Sequence, residues 1–180
     1  MKSLCSSFFE RMNAVRTPKI QFYHVDPGYI AYLKAVDARV PDVVYPGRHS
    51  KMLCGVVLEL NGISYYAPLS SKIHRADANF LIKNRKEKPI ASLRIQYMIP
   101  VPENILARID ISLLRQEDKT GYGDLVLEEY QYCNRPDNIA EIYKKAQKAY
   151  RIAKNPNHYR NQDYCDFAAL EAAMLEYHRR

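Results

Sequence analysis

The chain has no tryptophan, only six glycines, and four cysteines scattered at Cys5, Cys54, Cys133 and Cys165. No Cys-x-x-Cys pair or regular spacing occurs among them, which excludes a disulfide framework and a structural zinc site of ordinary spacing. They read as the reduced thiols of a cytoplasmic protein. No apolar run approaches the ~20 residues of a membrane span, and the first ten residues are too polar for a signal peptide. The glycine patterns that cradle phosphates or dinucleotides are missing, and Gly121-Tyr122-Gly123 reads as a loop. No carboxylate pair stands beside a strand at the spacing a metal-dependent nuclease uses. The five histidines have no i, i+4 partners on one helix. No metal and no cofactor are therefore expected, and what remains is hydroxyl and lysine chemistry.

A length of 180 residues suits a single domain. Residues 1–18 show neither helical nor strand period and read as a disordered extension, with Met12 an alternative start; the domain then covers 19–180. The net charge of +7 suits nucleic acid or another anionic surface. Fifteen tyrosines fit that reading, since tyrosine stacks on bases and hydrogen-bonds phosphate. Tyrosine is also a common strand residue, so most of the fifteen are expected to be structural.

Residues 20–25 alternate as a first strand, and Asp26-Pro27 caps a helix reaching about Ala38. Residues 41–50 form a loop. Two apolar, β-branched runs at 52–60 and 63–69 flank Asn61-Gly62, a strong type I′ hairpin signal. A polar stretch comes next, interrupted by Phe80-Leu81-Ile82. Residues 91–99 alternate as a further strand, and 105–114 suggest a fifth. The last third turns helical over 124–133, 137–154 and 166–178, with Asp166 capping the final helix. Strands first and helices later point to an α+β fold with a compact antiparallel sheet or barrel.

Ser70 and Ser71 stand where the hairpin's second strand ends, with Lys72 and His74 directly behind. A strand end running into a loop is a rigid place to present reactive groups. The same residues also suit the plain start of a polar loop, and both readings stand on local sequence alone. Beyond them cluster Arg75, Lys83, Arg85, Lys86, Lys88 and Arg94, diluted only by Asp77 and Glu87. That cluster suits a phosphate backbone. Lys144, Lys145, Lys148 and Arg151 share one helix face, which serves equally as RNA contact or as an ordinary solvated face.

The chain resembles the ToxN/AbiQ endoribonuclease toxins of type III (protein–RNA) toxin–antitoxin systems. The resemblance runs through Ile20-Gln21-Phe22-Tyr23-His24-Val25, Tyr29-Ile30-Ala31-Tyr32-Leu33-Lys34, Arg39-Val40-Pro41 and residues 50–59. It is strongest at Tyr66-Ala67-Pro68-Leu69-Ser70-Ser71 and Tyr97-Met98-Ile99-Pro100. It implies a bent antiparallel sheet or barrel like that of MazF and CcdB toxins, with surrounding and C-terminal helices. It also implies a partner: a tandem-repeat RNA antitoxin that the toxin processes and is inhibited by, in a hetero-oligomeric protein–RNA assembly. Cellular or phage RNA would be the substrate, with growth arrest or abortive phage infection as the outcome. Carried over by position, the family's catalytic residues fall on Tyr29, Lys51, Ser70 and Ser71, with Lys72 the basic residue after the pair. Family members often have Ser-Pro-Lys there, and this chain lacks the proline.

The chemistry expected of such a site is attack of the RNA's own 2′-hydroxyl on the adjacent phosphate, without metal. Lys51 and Lys72 would stabilise the phosphorane, Ser71 with Ser70 would orient the phosphate, and Tyr29 would stack on or anchor a neighbouring nucleotide. Lys51, Tyr29 and His74 all remain open as the proton donor. The alternative is a non-catalytic RNA-binding protein of the same fold; a CcdB-like inhibitor of a protein target is the second rival.

Overall fold

Asn61 and Gly62 both adopt positive φ, 52° and 76°, the conformation that closes a two-residue hairpin with the sheet's natural twist. The computed structural model describes residues 19–43 and 51–177. The expected N-terminal extension at 1–18 and residues 44–50 of the expected loop lie outside them. The hairpin consists of β2 (Leu53–Leu60) and β3 (Ile63–Ser70). β1 (Gln21–Val25) pairs with β2, so the early part of the chain joins the sheet beside the hairpin. Gly55 faces Tyr66 across the hairpin next to a bulge between Gly55 and Leu58. A Cβ there would run into the Tyr66 ring, so only glycine allows this close approach.

β4 (Phe80–Lys83), β5 (Pro89–Leu93), β6 (Ile99–Pro100) and β7 (Leu106–Arg108) complete a seven-stranded sheet in the order β4-β5-β3-β2-β1-β7, with β6 also on β3. Every pairing is antiparallel. The sheet is open, not a closed barrel, and β4 and β7 form its edges. The strand expected over 91–99 is two strands. β5 stops at Leu93, Ile95–Tyr97 makes a 3-10 turn, and β6 resumes on a different stretch of β3. The fifth strand expected over 105–114 ends at Arg108, where Asp110 caps a helix by accepting from the Leu113 amide.

Five helices occur among the described residues. α1 (Pro27–Val36) starts as expected, its cap Asp26 accepting from the Tyr29 amide at 3.0 Å. α2 (Ile111–Glu117), α3 (Tyr122–Cys133), α4 (Pro136–Ala153) and α5 (Phe167–Tyr177) complete the set. Ile139, Ile142, Ala146 and Ala149 of α4 are buried, at a spacing that places them on one face. The strand and helix interiors merge into one hydrophobic cluster. Inside it, the half-buried Glu171 carboxylate accepts from the hydroxyls of Tyr65 and Tyr150 and pairs with Lys154, tying α5 to β3 and α4. No helix among the described residues is long and apolar enough to cross a membrane. Cys54, Cys133 and Cys165 are buried free thiols.

Candidate active site

The register of the hairpin brings Lys51 to Ser70. Leu53 pairs with Pro68, and the Leu69 amide donates to the Met52 carbonyl at 2.9 Å. One step further along that register, Lys51 stands across from Ser70. On its other side Ser70 pairs with Ser92 of β5. The centre is therefore built where three neighbouring strands meet, which holds it more firmly than a loop would.

The two serines differ. Ser70 is buried, and its hydroxyl accepts from the Lys72 amide at 3.2 Å, shaping the turn out of the strand. Ser71 and Lys72 are exposed at that turn. The fully buried Ser92 clamps the loop from Lys72 to His74: its hydroxyl donates to the Lys72 carbonyl at 2.8 Å and accepts from the His74 amide at 3.4 Å. Asn79, also buried, donates from its side-chain amide to the His74 carbonyl at 3.3 Å. Arg94 comes directly after β5. Its amide donates to the Pro68 carbonyl, and its guanidinium lies 4.3 Å over the Tyr97 ring while its buried Nε has no hydrogen-bond partner among the described residues. Burial first, then the charges of Arg94, Lys51 and Lys72, push the His74 imidazole below its ordinary value. Three cations and one imidazole thus share the mouth of the site. Among the described residues no three His, Cys, Asp or Glu side chains group as metal ligands.

These residues lie within a stretch, residues 21–175, that matches the family model described as the ToxN toxin of type III toxin–antitoxin systems. The chain belongs to the ToxN family. It is 32% identical over 174 residues to the endoribonuclease ToxN of Bacillus thuringiensis subsp. kurstaki, covering 89% of this chain and 85% of that protein. The endoribonuclease AbiQ of Lactococcus lactis subsp. lactis is 28% identical over 189 residues, covering 97% of each. A solved type III toxin, studied for its selective inhibition by a non-coding RNA pseudoknot, superposes with a TM-score of 0.82 at 30% identity. That match covers 91% of this chain and all of the other. The solved structure of AbiQ shares the fold, with a TM-score of 0.78 at 24% identity over 91% of this chain and 100% of that one.

Tyr29 lies apart from the other residues expected to act together. Tyr29 is fully buried, its hydroxyl donating to the Pro100 carbonyl at 2.8 Å and its ring packed against Tyr32 and Tyr177. Pro100 pairs with Tyr65, so Tyr29 sits at the level of Tyr65, five residues short of Ser70. That is roughly 16 Å along the strand. It has no surface to offer a base, and the expectation that it stacks on or anchors a nucleotide is corrected: it braces β6 against α1. Burial, then Tyr32 and Tyr177, push its hydroxyl well above the ordinary value, so it is a poor proton donor as well.

The expected RNA-contact residues fall into three places. Arg94 lies in the site itself. Arg75, Lys83, Arg85, Lys86 and Lys88 line the loop after the serines and the β4–β5 hairpin, where Lys83 pairs with Glu87 at 3.4 Å. Lys144, Lys148 and Arg151 are exposed on α4. Lys145 and Arg160 join α4 and the segment after it to the loop behind the serines: Lys145 Nζ donates to the Asp77 carbonyl at 2.8 Å, and Arg160 pairs with the Asp77 carboxylate at 3.1 Å. Between loop and helix lies a cavity of about 340 Å³ bordered by Arg75, Asn79, Lys83, Tyr132, Glu141 and Lys145. A larger cavity of about 540 Å³ lies at the β7 edge, the far side of the sheet, and includes Arg108 and Arg115. In that cavity Arg115 is already paired with Asp124 at 2.7 Å; neither cavity is bordered by Ser71 or Lys72, and the smaller one opens on Arg75 and Asn79 of the loop that follows them. The sequence singles out none of Ser92, Asn79 and Arg160 as site residues, and marks Lys145 only as part of the basic face of α4. Ser92 carried one signal, a hydroxyl inside an otherwise apolar strand.

Proposed function

We propose that this protein is a metal-independent, sequence-selective endoribonuclease that leaves 2′,3′-cyclic phosphate and 5′-hydroxyl ends. The observation that carries the reading is the strand-end cluster of exposed Ser71 and Lys72 beside Lys51 and Arg94, in a chain whose curated relatives are named endoribonucleases. A phosphodiester bound there meets fixed positive charge from several directions. Lys51 and Lys72 neutralise the non-bridging oxygens as the phosphorane forms, and Arg94, held over the Tyr97 ring, adds a third charge. Ser71 donates its hydroxyl to the phosphate, and Ser70 shapes the turn that presents it. The site also aligns the 2′-oxygen in line with the leaving 5′-oxygen.

The basic residues of the β4–β5 hairpin and of α4 carry the RNA strand across the face beside the 340 Å³ cavity. The inhibitor in this reading is a tandem-repeat RNA antitoxin, cut by the toxin and then retained in a hetero-oligomeric protein–RNA assembly. A relative inhibited by a non-coding RNA pseudoknot supports that partner. Released toxin cleaves cellular or phage RNA in the cytoplasm, arresting growth or aborting phage infection. The open, antiparallel sheet is read in the same proposal as kin to the MazF and CcdB toxins. The test is cleavage of RNA by the purified protein with and without EDTA, against Ser71→Ala. Cleavage should survive chelation and fall about 100-fold or more in the variant. Salt-sensitive RNA binding without cleavage would favour the non-catalytic alternative.

A further inference from the structure

The ribonuclease reading leaves the 2′-hydroxyl proton without an acceptor. Ser70 and Ser71 are weakly basic, and lysine ordinarily carries its proton already, so it offers charge rather than a vacancy. Tyr29 is sealed in the core. Imidazole is the side chain that ordinarily takes and releases a proton near neutral pH. Of the described histidines, His24 lies on β1 next to β7, and the His158 Nδ1 accepts from the Arg160 amide beyond α4. Among the described residues, His74 is the histidine that lies among the serines and lysines.

We propose that His74 is the general base of this centre, taking the proton of the 2′-hydroxyl that attacks the scissile phosphate. The assignment rests on the ribonuclease reading above. In the step, the O2′–H bond breaks as the imidazole takes the proton and O2′ bonds to phosphorus. The P–O5′ bond then breaks, the leaving oxygen takes a proton from surrounding water, and the imidazolium gives its proton back to the hydroxide so formed, which restores the neutral base. Lys51 and Lys72 hold the negative charge in between.

Two features fit His74 for the task. First, its backbone is pinned from both sides, the amide on Ser92 and the carbonyl by Asn79, so the imidazole leaves a fixed point beside Ser70. Second, the charges facing it come from three places: Lys51 ahead of β2, Lys72 from its own loop, and Arg94 after β5. All are positive. The one acid of the same loop, Asp77, is engaged by Arg160. The imidazole therefore stays neutral at pH 7 and is ready to accept, and the same charges disfavour the protonated form that a general acid has to carry.

The test is the pH–rate profile of single-turnover cleavage of an RNA oligonucleotide by wild type, His74→Ala and His74→Gln. Wild type should lose rate on the acid side with an apparent pKa below about 6.5, the ordinary histidine value. Both variants should cleave about 100- to 10,000-fold more slowly and lack that limb. Added imidazole should restore part of the His74→Ala rate. Binding of the same RNA with a 2′-O-methyl group at the cleavage position should stay within about threefold, which separates chemistry from affinity. Lys72→Gln should move the limb to higher pH, because one of the three facing charges is gone. An RNA with sulfur in place of the leaving 5′-oxygen separates base from acid, since that leaving group needs no proton. His74→Ala should remain slow on it; recovery would overturn the assignment in favour of a general acid. An unchanged acid limb in His74→Ala, or cleavage at the wild-type rate, would overturn it outright. If wild type itself cut no RNA, the ribonuclease reading would fall first.

Discussion

Replacing Ser92 with alanine tests whether the buried clamp, rather than the reactive residues alone, makes this site. The substitution removes a single oxygen from a fully buried position. It takes away one good hydrogen bond, to the Lys72 carbonyl at 2.8 Å, and one long one, from the His74 amide at 3.4 Å. Each lost bond costs about 1 kcal/mol, and two backbone groups left short of partners in a partly buried loop raise the total to about 2–3 kcal/mol. For a chain of this size that corresponds to a Tm lowered by roughly 4–12 °C. The functional effect should exceed what lost stability explains, because Lys72 and His74 both drift. A displacement of about 1 Å in a reacting constellation can cost about 100-fold. Single-turnover cleavage well below the Tm, where the variant is fully folded, should fall at least about tenfold. A lowered Tm with an unchanged cleavage rate would refute the positioning role of Ser92. An unchanged Tm would refute the clamp itself.

Glu129 of α3 is buried, and burial, together with the neighbouring Glu128 as the smaller cause, pushes its carboxyl up to about 7. The folded protein therefore binds that proton more tightly than the unfolded chain. The stability this contributes is full below about pH 4.5 and is lost as the pH rises to about 7 and beyond. The swing is about 3 kcal/mol at most. Glu129→Gln should flatten this part of the pH–stability curve and raise stability at pH 8, measured by urea unfolding; an unaltered slope between pH 5 and 8 would exclude the effect. Replacing Lys144, Lys148 and Arg151 together with glutamine should weaken RNA binding and make its salt dependence shallower by up to about 2–3 in log–log slope. An unchanged slope would return that helix face to ordinary solvation.

Much of the frame was legible in the chain because its signals are local. Asn61-Gly62 closes the hairpin, Asp26-Pro27 starts α1, and the apolar spacing from Ile139 to Ala149 marks the buried face of α4. The alternation from Leu93 to Ile99 misled because Ile95 and Ile99 are both buried, as in a strand. The Arg94 amide nevertheless goes to Pro68, and the chain then turns to reach another part of β3. That break is tertiary and has no signature in period. That the serines and Lys72 stand at a strand end could be read by position, because a strand end is defined locally. Their support could not: Ser92 lies 20 residues from Lys72 and Arg160 lies 83 from Asp77. Nothing in the order of residues brings those pairs together before the sheet has formed. Tyr29 shows the reverse. It was expected at the site through the resemblance, and its side chain serves the core rather than the surface.

That Ser71 and its surrounding cations cut RNA through the RNA's own 2′-hydroxyl is most directly tested by the chemistry of the ends. Purified protein is incubated with RNA in excess EDTA, and the fragments are resolved by mass spectrometry. Every upstream fragment should carry 2′,3′-cyclic phosphate and every downstream one 5′-hydroxyl. A 2′-deoxy substitution at the cleaved nucleotide should abolish the cut. Fragments ending in 3′-hydroxyl and 5′-phosphate, or cleavage of the 2′-deoxy substrate, would contradict this chemistry.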